Sequence, residues 1–262
     1  KINDELNKQN WEFANKNPYS FTDIVRTKEK PEGYYRIAVL GDSFVWGGAL
    51  PYEEAWGHKL ERKITAPYQS IEVMNWGTNG WSTLNEMAFL ETHGFQYNVD
   101  LLIVDFVRND PDFGNYQWKL FDVKNMPQWY VRAIFYPVRK LFPNAFEFMT
   151  AYVNEFLMNY VLSKHGYGWN VWYDKLYSEE NLQRYLALLK GFSEYCQTPQ
   201  IRLLFVLTPA STDPGEEKRL NTIAALLQQA QIEYLNLFPA VKRDLGRYRP
   251  RQLWANLADG HP

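Results

Sequence analysis

The stretch RIAVLGDSFVWGG, residues 36–48, runs apolar until it breaks at Gly41-Asp42-Ser43. Asp and Ser both accept hydrogen bonds from free N–H groups at a helix start, so a capped turn accounts for the pair on local grounds. A serine where a buried strand surfaces is also the place for a nucleophile, which needs a base to take its proton and a partner to orient that base. The chain has four histidines. His58 and His93 fall in or at the end of helical patterns and His165 in an aromatic segment, positions that suit structural or surface roles. His261 ends the loop-like stretch LWANLADGHP with Asp259 two residues before it, and these two form the best base-and-orienter pair.

Two other segments carry polar groups after apolar runs: NWGTNGWST, with Gly77, Asn79 and Gly80, and VRNDPD, with Asn109 and Asp110. Each alone is ordinary turn chemistry. Their order after successive strands makes a joint signal, because an open α/β sheet binds ligands outside the C-terminal ends of its strands.

The elements that position these groups follow from periodicity. Residues 36–40, 71–76, 100–107, 201–207 and 232–238 read as strands, most of them apolar on both faces as in a parallel sheet covered by helices. Helical patterns at 52–64, 82–92 and 216–230 lie between several of them, which predicts a doubly wound α/β fold. Roughly ninety residues separate the third and fourth strands, far beyond an ordinary crossover. Residues 113 to 180 are read as an aromatic-rich helical insertion, with an amphipathic helix at 181–196 returning to the sheet. The insertion suits a helical subdomain packed on the core, or a lid or acyl-binding wall. The whole chain, 1–262, is expected to form one domain, with residues 1–35 as a polar arm wrapping it.

Composition narrows the function classes. Twenty-eight Lys and Arg against thirty Asp and Glu leave a formal charge of −2, so no overall field favours nucleic acid or anionic lipid. The single Cys196 excludes an internal disulfide and a multi-cysteine metal site, and fits a reducing compartment and the cell envelope alike, with the envelope slightly favoured. No apolar run reaches the eighteen or so residues of a membrane span, and the first twenty residues are polar, so a soluble chain without signal peptide or membrane-spanning segment is expected. A start at Lys1 and an end at Pro262 suggest a processed or trimmed product, and leave open whether an N-terminal anchor was removed.

In order along the chain, GDSF with Ser43, NWGTNGWST with Gly80, VRND with Asn109 and DGHP with His261 resemble the four blocks of the SGNH hydrolases, also called GDSL-type esterases and lipases. The resemblance spans residues 36–110 and 201–262 and leaves the insertion uncovered. It implies a three-layer, flavodoxin-like parallel sheet with helices on both faces. It also implies a site in which Ser43 is the nucleophile, His261 the base, and Ser43, Gly80 and Asn109 the oxyanion donors. A serine at a strand-to-helix turn would have its N–H at the positive end of a helix dipole. Many members of the family place the Asp three residues before the His; here Asp259 stands two before His261. Residues i and i+2 share a side of extended backbone, so Asp259 orients the imidazole on this reading, against the alternative that a backbone carbonyl holds His261. Gly77 competes with Gly80 for the oxyanion role, and Asp42 is read as a structural cap.

The function implied is hydrolysis of a carboxylic ester through an acyl-serine, with no metal or organic cofactor. The partner is a small-molecule or carbohydrate ester, with a short O-acyl group on a carbohydrate favoured. Ten Trp and eighteen Tyr would serve a sugar as stacking platforms or an acyl chain as a pocket. An O-acyltransferase acting on an exported polysaccharide and a catalytically inactive carbohydrate-binding relative stay open as alternatives.

Overall fold

A computed structural model describes residues 21–47, 50, 52–65, 70–114, 136–141, 169–197 and 200–247. Five parallel strands, β1 (Tyr35–Gly41), β2 (Ile71–Gly77), β3 (Leu101–Phe106), β4 (Arg202–Leu207) and β5 (Glu233–Asn236), form a sheet in the order β2-β1-β3-β4-β5. These are the five apolar runs of the sequence, and β1 is buried from Arg36 onward as a central strand must be. The chain first steps from β1 to β2 on one side and then returns past β1 to β3. That reversal leaves a crevice at the C-terminal ends of β1 and β3.

Alternation along each strand sends side chains to two covered faces. Ile37, Val39, Val73 and Ile103 point to the face covered by helix α2 (Trp56–Thr65), through Trp56, Leu60 and Ile64. On the other side, Trp76 meets Phe89 of α3 (Thr83–Thr92), while Phe106 and Phe205 meet Tyr185 and Phe192 of α6 (Glu179–Gln197). Helix α7 (Pro214–Gln229) joins β4 to β5 and starts with Asp213 capping the Glu216 N–H at 3.0 Å. Before α2 comes the one-turn helix α1 (Ser43–Trp46).

Two boundaries differ from the periodic reading. The pattern at 52–64 divides into a 3-10 turn (Tyr52–Glu54) and α2, with Ala55 buried between them. The fifth strand stops at Asn236, because the Asn236 side chain takes the Phe238 N–H at 2.9 Å and Pro239 opens helix α8 (Phe238–Leu245). A side-chain acceptor followed by proline is a helix start, and it outweighs the β propensity of the residues before it.

Residues 112–182 form a second compact unit, separate from the one built by 1–111 and 183–262. Its described elements include α4 (Tyr136–Leu141) and α5 (Trp169–Leu176), and Trp172, Tyr173 and Leu176 of α5 make a buried apolar cluster.

At the end of the sheet away from the crevice, Arg36 is fully buried and fully engaged. Its guanidinium donates to Glu72 Oε2 (2.9 Å) and to the carbonyls of Lys28 (3.1 Å), Glu29 (3.3 Å) and Tyr97 (2.6 Å), while its N–H donates to Asp100 Oδ2 (2.7 Å). One cation thus joins the segment 28–29, β1, β2 and the turn before β3. Further along, Arg26 grips Glu61 at 3.0 and 2.9 Å and the Val73 carbonyl at 3.0 Å, and Asp23 accepts the Asn75 N–H at 3.0 Å. Removing one partner of a buried ion pair strands the other and costs about 3–5 kcal/mol. Arg36→Ala is therefore expected to lower the stability to urea unfolding by about that amount, whereas Lys59→Ala, which breaks the exposed Lys59–Glu54 pair, should change it by under about 1 kcal/mol.

Candidate active site

The site grows from the end of β1. Gly41 and Gly77 lie opposite each other in the β1–β2 register, and helix α1 folds back directly onto both. A Cβ on Gly41 would stand 2.2 Å from Val45 Cγ2, and one on Gly77 would stand 2.2 Å from the Trp46 backbone nitrogen. Only glycine lets the chain reverse this tightly. Asp42 caps the turn as its type predicts, its Oδ1 accepting the Phe44 N–H at 2.9 Å, and Gly47 closes it in the left-handed region with φ 63°. Ser43 is the first residue of this helix and is half-buried. With a single turn, α1 carries little of the dipole expected from the sequence, so local N–H groups rather than a long helix supply the positive potential there.

The loop after β2 is tied to the same turn by the Thr78 N–H, which donates to the Gly41 carbonyl at 3.1 Å. Gly77 and Gly80 differ in what their N–H groups meet. The Gly77 N–H is committed to Asn75 Oδ1 at 3.1 Å, and the Asn75 amide in turn holds the Val45 carbonyl at 3.0 Å. Gly80 takes φ 79° in the turn closed by Trp81 N–H to Thr78 O, a conformation that favours glycine. Among the described residues no acceptor takes the Gly80 N–H.

After β3, Asp110 closes a turn with Val107: its Oδ2 accepts the Val107 N–H at 2.9 Å and its own N–H donates to Val107 O at 3.0 Å. The turn presents Asn109, whose Nδ2 donates to Asp42 Oδ2 at 3.0 Å. The crevice thus brings Asn109 to the turn that carries Ser43, with Asp42 as the joint. Asp259 and His261 lie outside the described residues. So does His165, while His58 lies 3.8 Å from Glu61 and His93 Nδ1 is 2.7 Å from Thr92 Oγ1 with its ring stacked on Phe89. The structural reading of His58 and His93 agrees with these partners.

Sequence reasoning named Asp42 and Asp110 singly but missed Glu86 and Asp105, and with them that the four are buried acids. Asp42, Glu86, Asp105 and Asp110 are each at most 2% exposed. Burial, and then the neighbouring carboxylates, push Glu86 and Asp110 well above the ordinary carboxyl range. Burial raises Asp105 to about 8, against the hydroxyl bond from Thr208, which favours its charged form. Among the described atoms, both Glu86 oxygens and one oxygen each of Asp105 and Asp110 have no hydrogen-bond partner. The one signal in the sequence was Asp105 itself, a carboxylate inside the apolar run DLLIVDFV. No group of three or more His, Cys, Asp or Glu side chains suited to a metal ion occurs among the described residues.

These acids give stability a defined pH slope. Unfolded, an Asp loses its proton near 3.8; folded, burial raises Asp105 to about 8, so folding takes up a proton in between and stability falls as pH rises through that window. Asp23, raised by burial to about 6 against the attraction of Arg26, adds to the same slope over its acid half. Thermal unfolding should show a lower Tm at pH 8 than at pH 5. Asp105→Asn, which keeps an acceptor for Thr208 and never ionises, should flatten that fall; an unchanged slope would mean that Asp105 is not protonated in the fold.

No protein-family model matches the chain, and no curated protein matches it. Solved structures do resemble it. Axe2, an acetylxylan esterase from Geobacillus stearothermophilus, matches with a TM-score of 0.51 at 14% identity, over 89% of this chain and 91% of that one. TesA matches at 0.47 and 12% identity over 86% and 91%, and AlinE4, an SGNH-hydrolase family esterase, at 0.44 and 15% identity over 84% and 85%. At such identities the likeness is one of architecture, and the match to Axe2 extends over most of both chains. That likeness, with five parallel strands and helices on both faces of the sheet, makes the fold of this chain a three-layer α/β fold.

Proposed function

We propose that this chain is a serine esterase that cleaves a carboxylic ester through an acyl-Ser43 intermediate. The observation that carries the reading is the bond from Asn109 Nδ2 to Asp42 Oδ2, which joins the Ser43 turn to an amide donor at the strand-order reversal. Ser43 Oγ attacks the ester carbonyl while His261 takes its proton. The tetrahedral oxyanion accepts hydrogen bonds from the Ser43 and Gly80 N–H groups and from the second N–H of Asn109. The C–O bond to the alcohol then breaks, and His261 returns the proton to the departing oxygen. Water, deprotonated by the same imidazole, attacks the acyl-serine, releases the acid and restores Ser43. Asp259 holds the imidazole tautomer. The roles of His261 and Asp259 rest on the DGHP block of the sequence. This chemistry requires no metal or organic cofactor.

Gly80 is favoured over Gly77 as donor because the Gly77 N–H already serves Asn75. Asn109 suits an oxyanion because it donates without any proton to lose, and of its two amide hydrogens Asp42 takes one. For the substrate, a short O-acyl group on a carbohydrate is the favoured class. Its support is the aromatic content of the chain and the architecture shared with an acetylxylan esterase.

A fluorophosphonate probe should label the wild-type protein at Ser43 and leave Ser43→Ala unlabelled and inactive at unchanged Tm. A folded, active Ser43→Ala protein would sink the assignment, and a product formed only with a sugar acceptor present would redirect it to acyl transfer. Asn109→Ala is expected to lower kcat about 100- to 1000-fold with little change in KM, because its donor serves charge that develops in the transition state. Steady-state kinetics with p-nitrophenyl acetate measure both constants.

A further inference from the structure

Asp42 does more than a cap requires. A helix N-cap uses one acceptor oxygen, and Ser, Thr or Asn would serve as well as Asp. Here Oδ1 of Asp42 accepts the Phe44 N–H at 2.9 Å while Oδ2 accepts Asn109 Nδ2 at 3.0 Å, and the side chain is buried. Only a carboxylate offers two acceptor oxygens at this reach: an amide has one, and a serine hydroxyl is too short to span both. The burial is costly beside Glu86, Asp105 and Asp110, so a neutral cap would be the cheaper choice if capping were the whole task.

The turn around Asn109 has a separate anchor for its backbone. Asp110 fixes it through the two bonds to Val107, which leaves the Asn109 side chain free to rotate about its own torsions. The bond to Asp42 removes that freedom. A planar amide with one hydrogen directed at Asp42 Oδ2 has its second hydrogen pointed in a fixed direction.

Resting on the esterase reading above, we infer that Asp42 is the positioning residue of the oxyanion hole, its two carboxylate oxygens holding the Ser43 turn and the Asn109 amide in one fixed relation. Asp42 does not touch the substrate. It acts through Asn109, and its influence falls on the step in which the oxyanion forms.

The test is a double-mutant cycle on the full chain with p-nitrophenyl acetate as substrate. Asp42→Asn keeps a capping oxygen and loses the second acceptor, so kcat should fall about 10- to 100-fold with KM nearly unchanged, the loss typical of a misdirected catalytic group. In an Asn109→Ala background the same substitution should change kcat less than about threefold, since there is no amide left to position. Asp42→Ser, which caps as well but cannot reach Asn109, should behave alike and serves if Asp42→Asn does not fold. Melting temperature and the fraction labelled by a fluorophosphonate normalise each rate to folded protein. Undiminished kcat in Asp42→Asn, or losses that multiply in the double mutant, would overturn the positioning role while leaving the esterase reading intact. An Asn109→Ala protein with wild-type kcat would overturn the positioning role together with the oxyanion role of Asn109, whereas the esterase reading falls only to a folded, active Ser43→Ala protein.

Discussion

The site depends on one topological constraint, the reversal of strand order at β1. Parallel strands must be joined by crossovers, and crossovers that leave β1 in opposite directions cover opposite faces of the sheet. The loops after β1 and β3 then have no helix packed between them. Ser43 and Asn109 are 66 positions apart in sequence, yet each is the second or third residue past a neighbouring strand, so the register of the sheet brings them together. The Asp42–Asn109 bond completes at the side-chain level what the topology begins.

The two ends of the sheet treat buried charge in opposite ways. At the end away from the crevice, Arg36 is buried with every direction of its guanidinium answered, by Glu72 and by three carbonyls, which is the condition for a buried cation to be tolerated. At the crevice end, four carboxyl groups are buried, and both oxygens of Glu86 and one each of Asp105 and Asp110 lack a hydrogen-bond partner among the described atoms. Burial, together with the neighbouring carboxylates, pushes Glu86, Asp105 and Asp110 upward, which favours their neutral forms. Asp42 differs in that both its oxygens accept, one from the Phe44 N–H and the other from the Asn109 amide. Stability and chemistry are thus separated along the strands, with satisfied polar groups at one end and costly ones where a reaction would take place.

Much of this was legible in the sequence. Five strands could be read because central parallel strands are apolar on both faces, a pattern that survives without knowledge of the partners. Glycine, Asp and Ser at the end of β1 announced a tight, capped turn, and the structure has one. The start of α8 carried a signal, Asn236 two residues before Phe238-Pro239, that strand propensity obscured. The buried acids were harder. Glu86 sits in a short helix of mixed composition and nothing local distinguishes it from a solvent-facing residue, since its burial follows from which face of α3 meets the sheet.

By itself, the sequence determined which residue types stand at the strand ends, the alternation of strands and helices, and the capped turn at Gly41-Asp42-Ser43, because these depend on local sterics and periodicity. Only the tertiary structure decided the strand order, the close approach of α1 to Gly77 and the bond from the Asn109 amide to Asp42. Each of those depends on which backbone lies beside which. A carboxylate that caps its own helix and one that also holds an amide from another strand look the same along the chain. They differ only in what the fold delivers to the second oxygen.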